Sequence, residues 1–396
     1  MPGFEWFGEE ERQEVQDVLE TGVLFRYGFD GARNGHWKAR TFEEELTKCI
    51  GTGYAHLCSS GTAALSISLA ACGVGAGDEV ILPPFTFVAS VEALLTAGII
   101  PVFAEIDETL CLDPVSVRAA ITPRTRVVMP VHMCGAMARI SELKAVCDEH
   151  QLMLIEDACQ SLGAAYQGKY AGTFGQAGCF SFDPVKTVTC GEGGAVVTAD
   201  KEIYFKAQAY ADHGHDHIGA DRGLEGHPFL GMNYRISELN AAVGVAQLRK
   251  LDAILTTQRA HKQILKQALS RYPQVSFRVI PDETGDSATF LSFFLEDAEQ
   301  AGRIAKALAA AGMDGCFYWY DNNWHYLRKW DHFQKVHALA KLPFHLQQTC
   351  QDYSNVHLPQ SDGIMSRTLS LQIKLSWTAE AIQQRVDIID KVMQKA

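Results

Sequence analysis

The sequence predicts an α/β protein: a large domain with a mostly parallel sheet, residues 1–252, followed by a smaller α+β C-terminal domain, residues 253–396. Three observations predict it. Between residues 55 and 198, short apolar runs alternate with helical runs, the pattern of parallel strands with helices on their faces. The composition shifts near Asp252, where helical runs separate fewer strands. The length of 396 residues suits roughly two to three domains.

Taken in order, residues 9–20 form a short amphipathic helix. Residues 22–40 are rich in Gly, Arg and aromatics and show no periodicity, so a long loop is expected, and long loops in compact domains tend to be functional. Arg26, Arg33, His36, Lys38 and Arg40 make it either a solvated basic loop or a wall that holds an anion. Residues 42–50 are helical and 55–58 a strand. Ser59-Ser60-Gly61-Thr62 then opens an Ala-rich helix, 63–72. Such a start serves as an ordinary N-cap or as an anion site, because free N–H groups and the helix dipole point outward there. Strand 80–82, helix 87–97, strands 99–104 and 127–132, helix 140–150 and strand 152–155 follow, the last ending in Glu156-Asp157. Ligands bind beyond the carboxyl ends of parallel strands, where His132, Asp157 and Ser181 fall.

The stretch 179–198 reads as strand 179–182, a tight turn through Asp183-Pro184, Lys186, a Gly-rich run and strand 195–198. Residues 209–226 form a second long polar segment. His213, His215 and His217 would share a face on a strand, but no Cys or carboxylate framework completes a metal site, and contact with substrate or backbone is expected. Helix 236–251 closes the large domain. Helix 253–270, strand 288–295, helix 298–311, an aromatic stretch 315–324, a strand at 373–377 and helix 378–394 make up the remainder.

The bulk properties exclude several classes. A net charge of −12 and a pI near 5.6 argue against a broad nucleic-acid or anionic-membrane surface. Eleven scattered cysteines without a C-x-x-C predict reduced thiols and a cytoplasmic protein. The opening Met1-Pro2-Gly3-Phe4-Glu5 does not read as a leader, and no apolar run reaches the roughly 20 residues of a membrane span. The glycines 73, 75 and 77 follow a helix and precede a strand, the reverse of the order a dinucleotide site needs.

Lys186 is either one of many solvated lysines or an amine desolvated between two strands and thereby nucleophilic. Three further features bear on that choice. The Ser60-Gly61-Thr62 turn can hold a phosphate, Asp157 can keep a pyridine nitrogen protonated, and Phe87 can stack on such a ring. With a lysine that holds an aldehyde as an imine, these are the demands of pyridoxal 5′-phosphate.

The chain resembles the DegT-type sugar aminotransferases over nearly its full length. The resemblance rests on SSGTAAL (59–65), PPFTFVAS (83–90), PVHMCG (130–135), EDACQSLG (156–163), CFSFDPVKTVTCGEGG (179–194) and GMNYRISELNAAVGVAQL (231–248). It implies a fold type I PLP-dependent transferase in which Lys186 bonds the cofactor and Asp157 faces the pyridine nitrogen. Gln160 would contact the ring hydroxyl, Phe87 would stack on the ring, and Ser60, Gly61, Thr62 and Ser181 would hold the phosphate. Asn233 would reach the phosphate of a neighbouring subunit, so a homodimer with shared sites is expected. Many members carry His-Pro where this chain has Asp183-Pro184. Dehydratases of the family replace the lysine by histidine, so Lys186 favours transamination.

Segments 25–38, 212–223, 314–327 and 361–377 further resemble a branch of the family that acts on a sugar acid. That implies transfer from glutamate to C8 of 8-oxo-3,8-dideoxy-manno-octulosonate, a step toward lipopolysaccharide. Arg26, Arg33, His36, Lys38, His132, His215, His217 and Arg367 are the candidate acceptor contacts. The alternatives are a nucleotide-sugar aminotransferase, a non-catalytic regulator of the same fold, and a sugar-binding module without cofactor.

Overall fold

The computed structural model describes residues 3–219, 221–346 and 353–395. Helix α1 (Glu9–Thr21) stops at Gly22, which takes φ 68° and returns its amide to Val18. The loop that follows ends earlier than the sequence predicts, because α2 (Lys38–Ile50) starts at Lys38. Trp37 offers no capping side chain. Instead the carboxylate of Glu238 accepts the amides of Lys38 (2.6 Å) and Ala39 (3.3 Å), so the cap comes from 200 residues away.

The chain then builds β1 (Tyr54–Cys58), α3 (Gly61–Ala71), β2 (Glu79–Leu82), α4 (Ala89–Thr96) and β3 (Ile100–Phe103). Next come α5 (Pro114–Ala120), β4 (Thr125–Val128), α6 (Ile140–His150), β5 (Met153–Asp157) and a small hairpin, β6 (Ala165–Tyr166) with β7 (Lys169–Tyr170). Strands β8 (Ala177–Ser181) and β9 (Gly194–Thr198) precede α7 (Lys201–Ala211) and α8 (Glu238–Leu248). The sheet order is β1-β9-β8-β5-β4-β2-β3. Strands β3, β2, β4, β5 and β8 run parallel, and β9 is antiparallel to both its neighbours. The expected mostly parallel α/β sheet is present. Helices α5 and α7 were not foreseen, although Asp113 and Asp200 cap them by accepting Val115 and Glu202 amides.

Helix α9 (Leu251–Leu269) leads into β10 (Ser276–Phe277), β11 (Phe290–Phe294), α10 (Ala298–Ala310), β12 (Cys316–Tyr318), α11 (Asp331–Gln334), α12 (Pro359–Met365), β13 (Thr368–Gln372) and α13 (Ala379–Met393). The second sheet, β10-β11-β13-β12, is antiparallel throughout. The strand expected at residues 373–377 is corrected to Thr368–Gln372. Thr368 and Ser370 are fully buried and polar, which disguised this central strand. The Ser370 hydroxyl is satisfied by Ser292 Oγ and by the Trp319 indole N–H, both at 2.7 Å.

The two sheets share one apolar core: Phe290, Phe294, Trp319 and Tyr326 pack with Phe85 and Ile106. Trp330, Phe333, Phe344 and Tyr353 instead join the core under α3, α4 and β2. Residues 324–327 lie beside residues 84–88, with Thr86 N donating to His325 O, Val88 N to Trp324 O and Leu327 N to Pro84 O, each at 3.0 Å. This pairing engages the Thr86 and Val88 amides outside any helix, and α4 begins at Ala89, two residues later than expected.

Candidate active site

The carboxyl ends of β5 and β8 and the start of α3 meet at a cavity of about 450 Å³. Asp157 closes β5 and is 4% exposed. Its Oδ2 accepts the Ser90 hydroxyl at 2.7 Å and its Oδ1 the Cys159 amide at 3.1 Å. Thr86 Oγ1 lies 2.7 Å from Ser90 Oγ and fixes that hydroxyl in turn. No cation among the described residues pairs with Asp157, so a buried negative charge opens on the cavity. Burial and this charge hold the neighbouring Cys159 thiol well above its ordinary range, so it stays protonated.

Ser60 caps α3 by accepting the Ala63 amide at 3.0 Å. The amides of Gly61 and Thr62 meet no acceptor among the described residues and border the cavity. A side chain at Gly61 would sit 2.7 Å from the Ser181 Cβ, and one at Gly194 would sit 2.2 Å from the Ser60 carbonyl. The two glycines therefore let the helix start settle against β8 and β9, beside Ser181. Two free amides at a helix N-terminus form an anion seat.

Beyond β8, Asp183 accepts Val185 N with its side chain and Lys186 N with its carbonyl, both at 3.0 Å, which makes the expected tight turn. Lys186 is half-buried rather than enclosed between strands, since the turn carries it to the cavity rim. Its amine forms no ion pair among the described residues. Gln160 Oε1 accepts the Cys134 amide at 3.3 Å, leaving the side-chain NH₂ for a ligand. The Phe87 ring is 37% exposed and lies parallel to Trp324, 7° apart in plane, with centroids at 5.8 Å.

The opposite wall was missed from sequence. Phe290, Phe317, Trp319, His325 and Gln372 all line the cavity. The aromatic density of residues 315–324 was its visible signal; what put it there is the pairing of residues 324–327 with 84–88. Asp183 and Glu192 also reach the cavity, so its lining carries three carboxylates and one cation, Lys186.

The eight candidate acceptor contacts and Asn233 do not line this cavity. Arg26 is buried, donating to Glu43 Oε1 and to Leu57 O, both at 2.7 Å. Arg33 is buried, donates to the carbonyls of Gly28 and Phe25, and stacks on Trp37. Lys38 pairs with Glu14 and Asp17, and His36 stands 3.7 Å from Asp17. The basic loop is thus largely neutralised by its own chain. Only Arg40 is exposed, over Trp37.

His132 is fully buried, 3.0 Å from Glu156, which also accepts the amides of Gly172 (2.9 Å), Phe174 (2.6 Å) and Gly175 (2.8 Å). His132 and Glu156 brace β5 from beneath. Arg367 lies over the Phe294 ring. His213, His215 and His217 sit in irregular chain and share no strand face. His215 pairs with Glu225 at 2.9 Å, and His217 stacks on Tyr27. Asn233 bridges Asp212 in the same segment.

The parts that meet here are an unpaired buried carboxylate, an anion seat, a reachable lysine and an aromatic ring. They fit pyridoxal phosphate, and with this sheet they define a fold type I PLP-dependent transferase. The chain belongs to the DegT/DnrJ/EryC1/StrS aminotransferase family, whose model matches residues 6–390. Among its relatives is an L-glutamine:2-deoxy-scyllo-inosose aminotransferase of Streptomyces kanamyceticus, 41% identical over 64% of this chain and 62% of the relative. The match therefore spans a little less than two thirds of that relative's length. A GDP-perosamine synthase of Vibrio cholerae is 37% identical over 72% of this chain and 73% of its own length. The solved structure of an aminotransferase from Psychrobacter cryohalolentis superimposes with a TM-score of 0.85 at 27% identity, covering 98% of each chain. Among the described residues no helix is long and apolar enough to cross a membrane.

Proposed function

We propose that the protein moves an amino group from glutamate to the carbonyl carbon of a sugar, and that this carbon is C8 of 8-oxo-3,8-dideoxy-manno-octulosonate. The product would be the 8-amino sugar acid used in lipopolysaccharide synthesis. The observation that supports this acceptor is the wall facing Lys186. Phe317, Trp319 and His325 belong to segment 314–327, one of those whose sequence resembles the sugar-acid branch.

Pyridoxal phosphate, when bound, supplies a carbonyl that exchanges for the amine and a ring that takes up an electron pair. The chain's own residues do the rest. Asp157 holds the proton on the pyridine nitrogen. The amides of Gly61 and Thr62, with the Ser181 hydroxyl and the cap at Ser60, seat the phosphate. Phe87 covers the ring face, and the Gln160 NH₂ donates to the ring oxygen. Lys186 Nζ takes the proton from the donor carbon and returns one to the acceptor carbon in the second half-reaction.

A cavity with three carboxylates and one lysine does not itself neutralise a sugar carboxylate. We therefore extend the proposal to a homodimer with shared sites. A second copy would contribute its 212–235 segment, which carries Asn233 together with His215, His217, Arg222 and Arg235. In one chain Arg222 and Arg235 pair with Asp212 and His215 with Glu225, so these groups would have to exchange partners to meet a sugar carboxylate. Leu224 and Leu230 on that segment are 84% and 95% exposed, an apolar surface suited to burial against a second copy.

A nucleotide-linked keto-sugar is the second reading, supported by the name of the Vibrio cholerae relative. The test is a panel of acceptors offered to the amine-loaded enzyme, with Lys186→Ala as the control. Preference for the 8-oxo sugar acid by at least a hundredfold in kcat/KM is expected. Preference for a nucleotide keto-sugar would replace the first reading by the second.

A further inference from the structure

The side of the cavity across from Lys186 contains a histidine whose protonation pattern is set by the chain itself. Asn322 Oδ1 accepts the backbone amide of Trp324 at 2.9 Å, which identifies that atom as the oxygen. The same oxygen lies 2.9 Å from His325 Nδ1. An oxygen cannot donate there, so Nδ1 carries the hydrogen, and the neutral ring is left with its lone pair on Nε2. That nitrogen makes no hydrogen bond to the described residues, is not closed off from solvent, and belongs to a side chain that lines the cavity.

The ring is held on every other side. Its plane stands edge-on to Trp319, with centroids at 4.9 Å and 65° between planes. The Trp319 indole is itself tied to Ser370 Oγ at 2.7 Å. Phe87 lies 5.5 Å away, tilted by 51°. The backbone of His325 accepts from Thr86 N, one residue before Phe87. The histidine and the ring expected to cover the cofactor are thus carried on two paired segments of irregular chain. Burial and the nearby charge of Lys186 push the imidazole down to about 4, so it is uncharged near neutral pH. A fixed, neutral acceptor atom beside a reacting amine suits a ligand that offers a hydroxyl.

We propose that His325 is the acceptor-recognition residue of this site, its Nε2 accepting a hydrogen bond from the sugar hydroxyl on the carbon next to the carbonyl that receives the amine. The inference rests on the sugar-acceptor reading above. It assigns His325 to the sugar half-reaction and leaves the glutamate half-reaction to Lys186 and Asp157. Trp319 and Phe317 form the apolar floor against which the sugar's C–H face lies.

The test uses the cofactor-loaded enzyme and two variants. His325→Phe keeps an aromatic ring and removes the acceptor atom. His325→Gln restores an acceptor oxygen near the Nε2 position. The two half-reactions are followed separately by absorbance. Binding is measured by calorimetry with 3-deoxy-manno-octulosonate, an unreactive analogue with an alcohol at C8. Loss of one hydrogen bond worth about 1.4 kcal/mol is a tenfold change. His325→Phe is therefore expected to raise the acceptor KM and weaken analogue binding by about tenfold or more. His325→Gln should recover both to within about threefold, and neither variant should slow the glutamate half-reaction by more than about twofold.

Wild-type acceptor KM and analogue affinity in His325→Phe would overturn the proposal. So would an equal loss in both half-reactions, which would mean that the ring supports the cofactor or the fold. If the wild-type enzyme aminates no sugar at all, the sugar-acceptor reading fails and takes this inference with it. That outcome is distinct from a wild type that works and a variant that works equally well.

Discussion

Asp157→Asn isolates one charge. In the native site Oδ1 accepts from Cys159 N and Oδ2 from Ser90 Oγ. An asparagine keeps the first bond with its carbonyl oxygen. Its NH₂ then faces Ser90, whose hydroxyl can turn to accept because Thr86 Oγ1 lies 2.7 Å away on the other side. The fold should therefore survive. What is lost is the carboxylate, which has no cation partner in the described chain and so is free to hold a protonated ring nitrogen. A hydrogen bond between charged groups contributes on the order of 1.5–3 kcal/mol, so cofactor affinity should fall by roughly 10- to 150-fold. Turnover at saturating cofactor should fall further, by about a hundred- to a thousandfold, because the ring can no longer accept the electron pair at low cost. Fluorescence titration of the cofactor-free protein reads the first effect and a single-turnover reaction with glutamate reads the second. An Asn variant that binds and reacts like wild type would refute the assignment and leave Asp157 as a bracket for Ser90 and Cys159.

Three further outcomes follow from the same geometry. Glu156→Gln removes one acceptor oxygen of a carboxyl shared by His132 and three backbone amides and sets an NH₂ against donors. A loss of about 3–5 kcal/mol is expected, read from the urea midpoint, and a loss under about 1 kcal/mol would contradict the brace beneath β5. Arg26→Ala strips the partner from buried Glu43. It should destabilise the fold by about 3–5 kcal/mol, whereas a merely solvated or substrate-facing arginine would leave the midpoint near wild type. His325 sits at about 4 when folded and near 6.5 when unfolded, so the unfolded chain binds the extra proton first. Its contribution to stability is complete above about 6.5 and is lost as pH falls toward about 4, up to roughly 3 kcal/mol at about 1.4 kcal/mol per pKa unit. The melting temperature of wild type should therefore fall more steeply than that of His325→Gln between those limits. Parallel profiles would show the imidazole to be solvated.

The parts of the site that the sequence determined by itself are those whose geometry is local. Ser60-Gly61-Thr62 opens a helix because the Ser60 hydroxyl accepts the Ala63 amide three residues on, a local cap, whereas the place where Gly61 is needed, against Ser181, was set by the tertiary fold. Asp183-Pro184 turns the chain within three residues and delivers Lys186 to the cavity. Asp157 ends an apolar strand, and a parallel sheet puts strand ends together. Charge, by contrast, misled. Arg26, Arg33 and Lys38 read as a cationic wall, yet each meets a carboxylate from outside the 22–40 loop: Glu43 for Arg26, Glu238 for Arg33, Glu14 and Asp17 for Lys38. A residue's type specifies that it needs a partner, not where the partner is. Only the tertiary structure decided that Glu238 caps α2, that Ser370 hides in a central strand, and that residues 324–327 lie along 84–88. That last pairing brings His325 opposite Lys186, although 139 positions separate them in the chain. Backbone pairing over such distances depends on which strand edges remain free once the local elements have formed, and no short stretch of sequence encodes it.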